Sequence, residues 1–78
     1  MNLQEMTQEY SLGSIHEIEI AIEYEPSQNI LKTETRKAEV VGSAIQQRSI
    51  KGQNYTVFCV AFCDVENGTV YSLDYSVN

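Results

Sequence analysis

The fold of this chain is set by residues 55–65, which read YTVFCVAFCDV. They are nearly all apolar and rich in β-branched and aromatic side chains, a composition typical of a strand. The chain continues into Glu66-Asn67-Gly68-Thr69, and Asn-Gly favours a two-residue type I′ hairpin turn because both turn positions need positive φ. Residues 70–77, VYSLDYSV, then alternate as a returning strand. The sequence therefore predicts a β-hairpin over this part of the chain.

A two-residue turn also predicts the register of this hairpin, with Val65 opposite Val70 and Phe62 opposite Leu73. The core face then carries Phe58, Val60, Phe62, Tyr71, Leu73, Tyr75 and Val77. The opposite face, called here the second face, carries five apolar side chains from the outgoing strand: Val57, Cys59, Ala61, Cys63 and Val65. A strand in a small antiparallel sheet normally keeps one side polar, so we expect a second copy of the chain to cover the second face.

The two cysteines are predicted to be free thiols. Cys59 and Cys63 lie four residues apart on one strand, which separates their Cα atoms by roughly 13 Å, whereas a disulfide needs less than about 7 Å. Free thiols fit a reducing compartment; a disulfide between two copies is the alternative.

The first residues, 1–10, hold no basic side chain and no apolar run reaches the ~18 residues of a membrane span. We expect a cytoplasmic protein that does not associate with membranes.

Composition indicates one small domain over residues 1–78 with a formal net charge of −6. That charge disfavours binding to duplex nucleic acid. Residues 1–29 contain six Glu and no basic residue, whereas all five Lys and Arg lie in the range 30–51. Charges on neighbouring strands could therefore meet across the sheet.

Residues 1–13 are predicted to form either a short helix or a mobile arm ahead of a β meander over 14–78. Asn2 and Glu5 have the spacing of a capping box, and Leu3, Met6 and Tyr10 recur at helical intervals, which predicts a helix over 3–11. Such a helix is marginal alone and would have to dock on the sheet.

The next segment, residues 17–24, alternates strictly as EIEIAIEY, which predicts a half-buried strand with its isoleucines and Tyr24 inward. Turn-forming residues follow at 25–28, with Pro26 in the second position. A four-residue loop there places Ile22 opposite Leu31, Ile20 opposite Thr33 and Glu17 opposite Arg36. The returning strand is predicted at 29–36.

Two interpretations remain open for residues 37–50. A helix would align Ala38, Val41 and Ile45 but place Gly42 mid-helix, at about 1 kcal/mol relative to Ala. A strand with a tight turn at Lys51-Gly52 would place Ile45 opposite Phe58 and Val41 opposite Phe62, with Gly42 at a bend or bulge. We favour the strand, because it agrees with the core face of the hairpin.

The predicted fold is mainly β: an antiparallel meander of four to five strands, as a small curled sheet or open barrel, with a short N-terminal helix as an option. No catalytic residue, metal site or cofactor is predicted. His16 is the only histidine, the two cysteines lack C-x-x-C spacing, and the glycines form no phosphate-binding loop. A Cys/His nucleophilic pair would require the fold to bring His16 to a cysteine.

We expect a small acidic binding protein without enzymatic activity that acts through its surface as a homo-oligomer, such as an inhibitor or an anti-defence or immunity-type factor. A protein target with a basic groove would meet an acidic surface formed by Glu17, Glu19, Glu23 and Glu25. The alternative is a homo-oligomeric β protein that holds a small anionic ligand, such as a nucleotide, between protomers. The residues predicted for that alternative are Arg36, Lys37, Arg48, Tyr71 and Tyr75. A purely structural subunit of a larger assembly is a third reading.

Overall fold

The computed structural model describes residues 1–27 and 29–77, apart from the side chains of Tyr24 and Leu31. It contains one helix and four strands: α1 (Leu3–Glu9), β1 (Ile15–Tyr24), β2 (Ile30–Ile50), β3 (Gln53–Asp64) and β4 (Val70–Ser76). The strands form one antiparallel sheet in the order β1-β2-β3-β4. The mainly β meander with a short N-terminal helix is thus confirmed.

Helix α1 begins at the predicted capping box. The Asn2 side chain accepts from the Glu5 amide at 2.9 Å, and the Glu5 carboxylate accepts from the Asn2 amide at 3.2 Å. The helix is held to the sheet by Met6, which is 4% exposed, and by Leu3 and Tyr10, which pack against the same core. Because a helix of this length is unstable in isolation, docking on the core face is what keeps it helical.

Strand β2 is long and bent, and it joins the two halves of the sheet. It has 21 residues and would measure roughly 70 Å if straight, yet the longest extent of the molecule is 35 Å. Its first half pairs with β1 and its second half with β3. The strand interpretation of residues 37–50 is therefore confirmed and the helix is wrong; one continuous strand replaces the two predicted over 29–50.

A β-bulge lies in β2 between Val40 and Gly42. From Gly42 to Ile50 the pairing with β3 is the predicted one, and Lys51 and Gly52 both have positive φ in the tight turn. The extra residue of the bulge places Val40, not Val41, opposite Phe62. Val40 is 1% exposed and Val41 is 45% exposed. The predicted pairing of Val41 with Phe62 is therefore wrong, although a bend or bulge at Gly42 agrees with the sequence prediction.

These adjacent valines provide a matched stability test. Val40→Ala should lower the free energy of unfolding by about 2 kcal/mol, since it removes two buried methyl groups and leaves a cavity. Val41→Ala should change it by less than about 0.5 kcal/mol. Urea unfolding of both variants measures the difference, and equal losses would contradict the position of the bulge.

The β3–β4 connection is a five-residue loop over 65–69 rather than a two-residue turn. Cys63 lies opposite Val70 and Phe62 opposite Tyr71, so the predicted register is wrong by two residues. Gly68 has a φ of +74° but Asn67 does not have positive φ, which rules out the type I′ turn. A slip of two residues leaves every side chain on its predicted face.

The β1–β2 register is wrong by one residue. Ile20 lies opposite Glu34 rather than Thr33, and Glu17 lies opposite Lys37 rather than Arg36, with an irregularity between Ala21 and Tyr24. A slip of one residue exchanges the faces of a strand, so Arg36 moves to the core side of the sheet. Three of the predictions for this hairpin lie outside the described part of the structure. They concern Gln28 in the predicted turn and the side chains of Tyr24 and Leu31, which were predicted to point inward.

The core lies between α1 and the inner face of the bent sheet. Its buried members are Met6, Ile18, Ala38, Val40, Phe58, Val60 and Phe62, and partly buried side chains from β1 and β4 pack against them. The predicted inward positions on β3 are confirmed. Ile45 lies opposite Phe58 as predicted but is 57% exposed, because the buried cluster ends at Phe58.

Candidate functional site

Strand β1 forms one edge of the sheet, because it pairs with β2 alone. Glu17, Glu19 and Glu23 lie on this strand and are exposed. Within residues 1–27 and 29–77, none of the three forms an ion pair within 4.0 Å. Glu17 and Glu23 lie opposite Lys37 and Lys32 on β2. The edge thus presents glutamates without an ion-pair contact beside backbone groups that no described strand pairs.

Glu25, the fourth acidic residue of the predicted surface, has a local role. Its carboxylate accepts hydrogen bonds from Ser27 and Asn29, and these bonds, that from Ser27 first, lower the pKa of Glu25. It lies just past the end of β1 and organises the following loop. The structure therefore places Glu17, Glu19 and Glu23 on one strand. Glu25 lies outside that strand, and its carboxylate is already hydrogen-bonded to side chains of the loop.

The second face is open. Helix α1 packs on the core face, and no described element forms a layer over the other side of β3. Cys59, Ala61 and Cys63 are half-buried, whereas Val57 is only 8% exposed. Val65 is 49% exposed and lies in the β3–β4 loop rather than on the strand, where it lines a depression with Val41 and Cys63.

Small side chains make the centre of the second face shallow. A depression of about 300 Å³ lies there. It is lined by Gly42, Ser43, Ala44, Gln46, Cys59, Ala61 and Ser72. Another polypeptide could approach the strands closely at this point, because most of the lining side chains are small.

Both cysteines are free, as their predicted spacing on one strand requires. Burial raises the pKa of the Cys59 thiol, with a smaller contribution from Asp74, so Cys59 is a poor nucleophile at neutral pH. His16 lies on the core face, where its Nε2 is 2.9 Å from the Ser14 hydroxyl and its ring packs on Tyr10 at 4.9 Å. The sheet separates His16 from both thiols, so no Cys/His pair forms.

An ion pair that sequence reasoning missed joins Arg36 to Asp64. The guanidinium donates to both carboxylate oxygens, at 2.6 and 3.2 Å, and the Asp64 side chain is 0% exposed. Asp64 also accepts from the amides of Glu66 and Asn67 at 2.8 and 3.2 Å. The bond from Arg36, supported by the two amides and opposed by burial, lowers the pKa of Asp64 to about 2. Asp64 thus anchors the β3–β4 loop to β2.

A second pair crosses the second face. Arg48 on β2 donates to both carboxylate oxygens of Asp74 on β4, at 3.0 and 3.2 Å. Both side chains are more than a third exposed. The two residues lie with Val57 around one shallow depression.

The residues predicted to hold a small anion are dispersed. Arg36 and Arg48 lie on opposite faces, each in an ion pair with an aspartate. Tyr75 stacks on Tyr10, with ring centroids 4.7 Å apart, and burial raises its pKa. Lys37 is exposed on β2, and Tyr71 is half-buried against the core. These five side chains do not converge on one site within a protomer.

A groove runs between the two edge strands. Its described lining consists of Glu19, Ile20, Ala21, Ile30, Val70, Tyr71, Ser72 and Leu73, around a volume of about 530 Å³. Consecutive residues of both strands line it, so it lies between the edges rather than over one face. The bend in β2 brings β1 and β4, at opposite ends of the strand order, to one groove.

No family model matches this chain, and neither does any curated protein or solved structure. Among the residues that the structure describes, no group of three His, Cys, Asp or Glu side chains is placed to hold a metal. No helix there has the length and apolarity to cross a membrane.

Proposed function

We propose that this chain is a non-enzymatic binding protein whose partner is another protein. The observation that carries the proposal is the edge strand β1. Its outward backbone groups have no neighbouring strand, and Glu17, Glu19 and Glu23 beside them have no ion-pair partner among the described residues. This edge therefore offers unpaired backbone amide and carbonyl groups together with negatively charged side chains.

The partner favoured by this surface presents a basic groove or patch. Complementary charge speeds encounter and suppresses wrong partners. A compact acidic domain that occupies a basic functional groove would act as an inhibitor, and we place this chain in that class, with anti-defence and immunity-type factors as its proposed setting. Two free thiols support a reducing compartment such as the cytoplasm.

The test is a charge variant with matched net charge. Glu17→Gln with Glu19→Gln should slow association with a partner captured from the source organism by about tenfold at low salt, since steering depends on these charges. Ser49→Lys with Asn54→Lys changes the net charge by the same amount beside the β2–β3 turn. This variant should leave the association rate within about twofold of that of the wild type. Surface plasmon resonance measures both rates; equal slowing by the two variants would contradict a role for β1.

We further propose that the protein works as a homo-oligomer through the second face. Half-buried Cys59, Ala61 and Cys63, together with exposed Val41 and Val70, form an apolar surface that no described element covers. Stable interfaces bury about 800 Å² per partner, and the molecular extents of 35 by 33 Å provide that area.

A further inference from the structure

We infer that the groove between β1 and β4 binds an extended segment of the partner, basic and alternating with apolar residues, which pairs with β1 as an added strand. The inference rests on the proposed function and specifies how the partner is recognised. It would convert the open sheet into a more nearly closed barrel.

Both edge strands carry backbone groups that no other described strand pairs. Strand β1 pairs only with β2 and β4 only with β3, so each presents outward amide and carbonyl groups to the same groove. Adding a strand to an open edge satisfies such groups and supplies affinity through main-chain hydrogen bonds.

The groove has the size of a short strand. One extended residue between neighbouring strands occupies about 3.3 by 4.8 by 10 Å, or roughly 160 Å³. The groove, at about 530 Å³, therefore accommodates on the order of three such residues. That is a short strand rather than a helix, whose diameter with side chains is about 10–12 Å.

The walls of the groove combine apolar side chains with one glutamate. Ile20, Tyr71 and Leu73 pack against the core and are only partly buried, so they offer an apolar floor. Glu19 stands on the rim from β1, while the β4 residues of the lining carry no charge. A strand with apolar side chains toward the floor and Lys or Arg on the alternate positions matches both features, because successive side chains point to opposite sides.

The same charges argue against a second copy of this chain as the occupant. Two β1 edges side by side would place glutamates near glutamates, and directly opposed like charges destabilise a strand pair. The irregularity between Ala21 and Tyr24 also disfavours pairing of identical edges. A basic segment would be attracted rather than repelled by Glu17 and Glu19. It would also pair with a part of β1 that precedes the irregularity.

A labelled peptide that alternates lysine and valine tests the inference on the intact protein. Fluorescence anisotropy should show binding, and amide hydrogen exchange by NMR should show at least tenfold slower exchange at outward amides of β1 and β4 in the complex. A glutamate–valine peptide and a lysine–proline peptide should bind at least tenfold more weakly, since one reverses the charge and the other lacks alternate amide donors.

Two groove variants and one matched control locate the peptide. Ala21→Phe on the β1 side and Ser72→Phe on the β4 side should each weaken binding at least tenfold, whereas Ser49→Phe, at an exposed position near the β2–β3 turn and away from the groove, should not. Absence of binding, equal binding of the proline peptide, or binding without protection of β1 would overturn the inference. If charge variants of Glu17 and Glu19 still slowed partner association in that case, the proposed function would stand and only the strand-addition mode would fall.

Discussion

Asp64→Asn is expected to lower the melting temperature of this protein by about 10 °C or more. The substitution keeps the shape of the side chain but leaves the Arg36 guanidinium facing a neutral amide instead of a carboxylate that is 0% exposed. The loop amides of Glu66 and Asn67 bind the same carboxylate. One change therefore weakens both the link between β2 and β3 and the loop that leads to β4.

Asp74→Asn is the matched control, because Asp74 also receives two hydrogen bonds from one arginine, Arg48. Its side chain is 40% exposed, and exposed pairs contribute little to stability. We expect a shift of no more than a few degrees, measured by circular dichroism or calorimetry. Equal losses in the two variants would show that the burial of Asp64 does not matter.

The dependence on pH follows from the same carboxylate. The pKa of Asp64 falls from 3.8 to about 2 on folding, so its charged form stabilises the native state above pH 4 or so, and that contribution is lost as the pH falls through about 2. The free energy of unfolding should therefore decline between about pH 4 and pH 2. Asp64→Asn should remove part of that decline, and an unchanged slope would contradict the assignment.

Ala61→Arg is expected to convert the proposed oligomer into a monomer. Ala61 lies at the centre of the second face, between Gly42 on β2 and Ser72 on β4. An arginine there would bring an unpaired charge into the proposed interface, which typically costs 3–5 kcal/mol and corresponds to roughly 10²–10³-fold or more weaker self-association. Light scattering measures the mass against the 8.8 kDa of one chain.

Ser49→Arg is the control for that experiment, because Ser49 is exposed beside the β2–β3 turn. This variant should leave the mass unchanged. Ala44→Arg, on the neighbouring strand of the same face, repeats the test if Ala61→Arg does not fold. A wild-type chain that is monomeric at high concentration, with the second face open, would end the case for self-association.

The local features of the fold were predictable because short-range chemistry controls them. The Asn2–Glu5 capping box, the turn at Lys51-Gly52 and the inward face of β3 each depend on residues close together in the chain, and the structure confirms all three. The acidic strand β1 and the apolar second face were also visible as patterns of alternating residues.

The length of the β3–β4 loop and the register of β1 with β2 were not predictable, since distant contacts control them. Asn67-Gly68 favours a two-residue turn, yet Asp64 holds a longer loop through Arg36, which lies 28 residues earlier in the chain. The slip of one residue in β1–β2 is what places Arg36 on the core side, and no local pattern signals it.

The groove between β1 and β4 belongs to the tertiary structure alone. Its walls come from strands at opposite ends of the sheet, and they converge because the sheet curls, with the 21-residue strand β2 contained in a molecule whose longest extent is 35 Å. The residue pattern specifies which side chains of each strand share a face, because that depends on a period of two. How far the sheet curls, and so whether its edges can share a ligand, depends on the packing of the whole chain around its core.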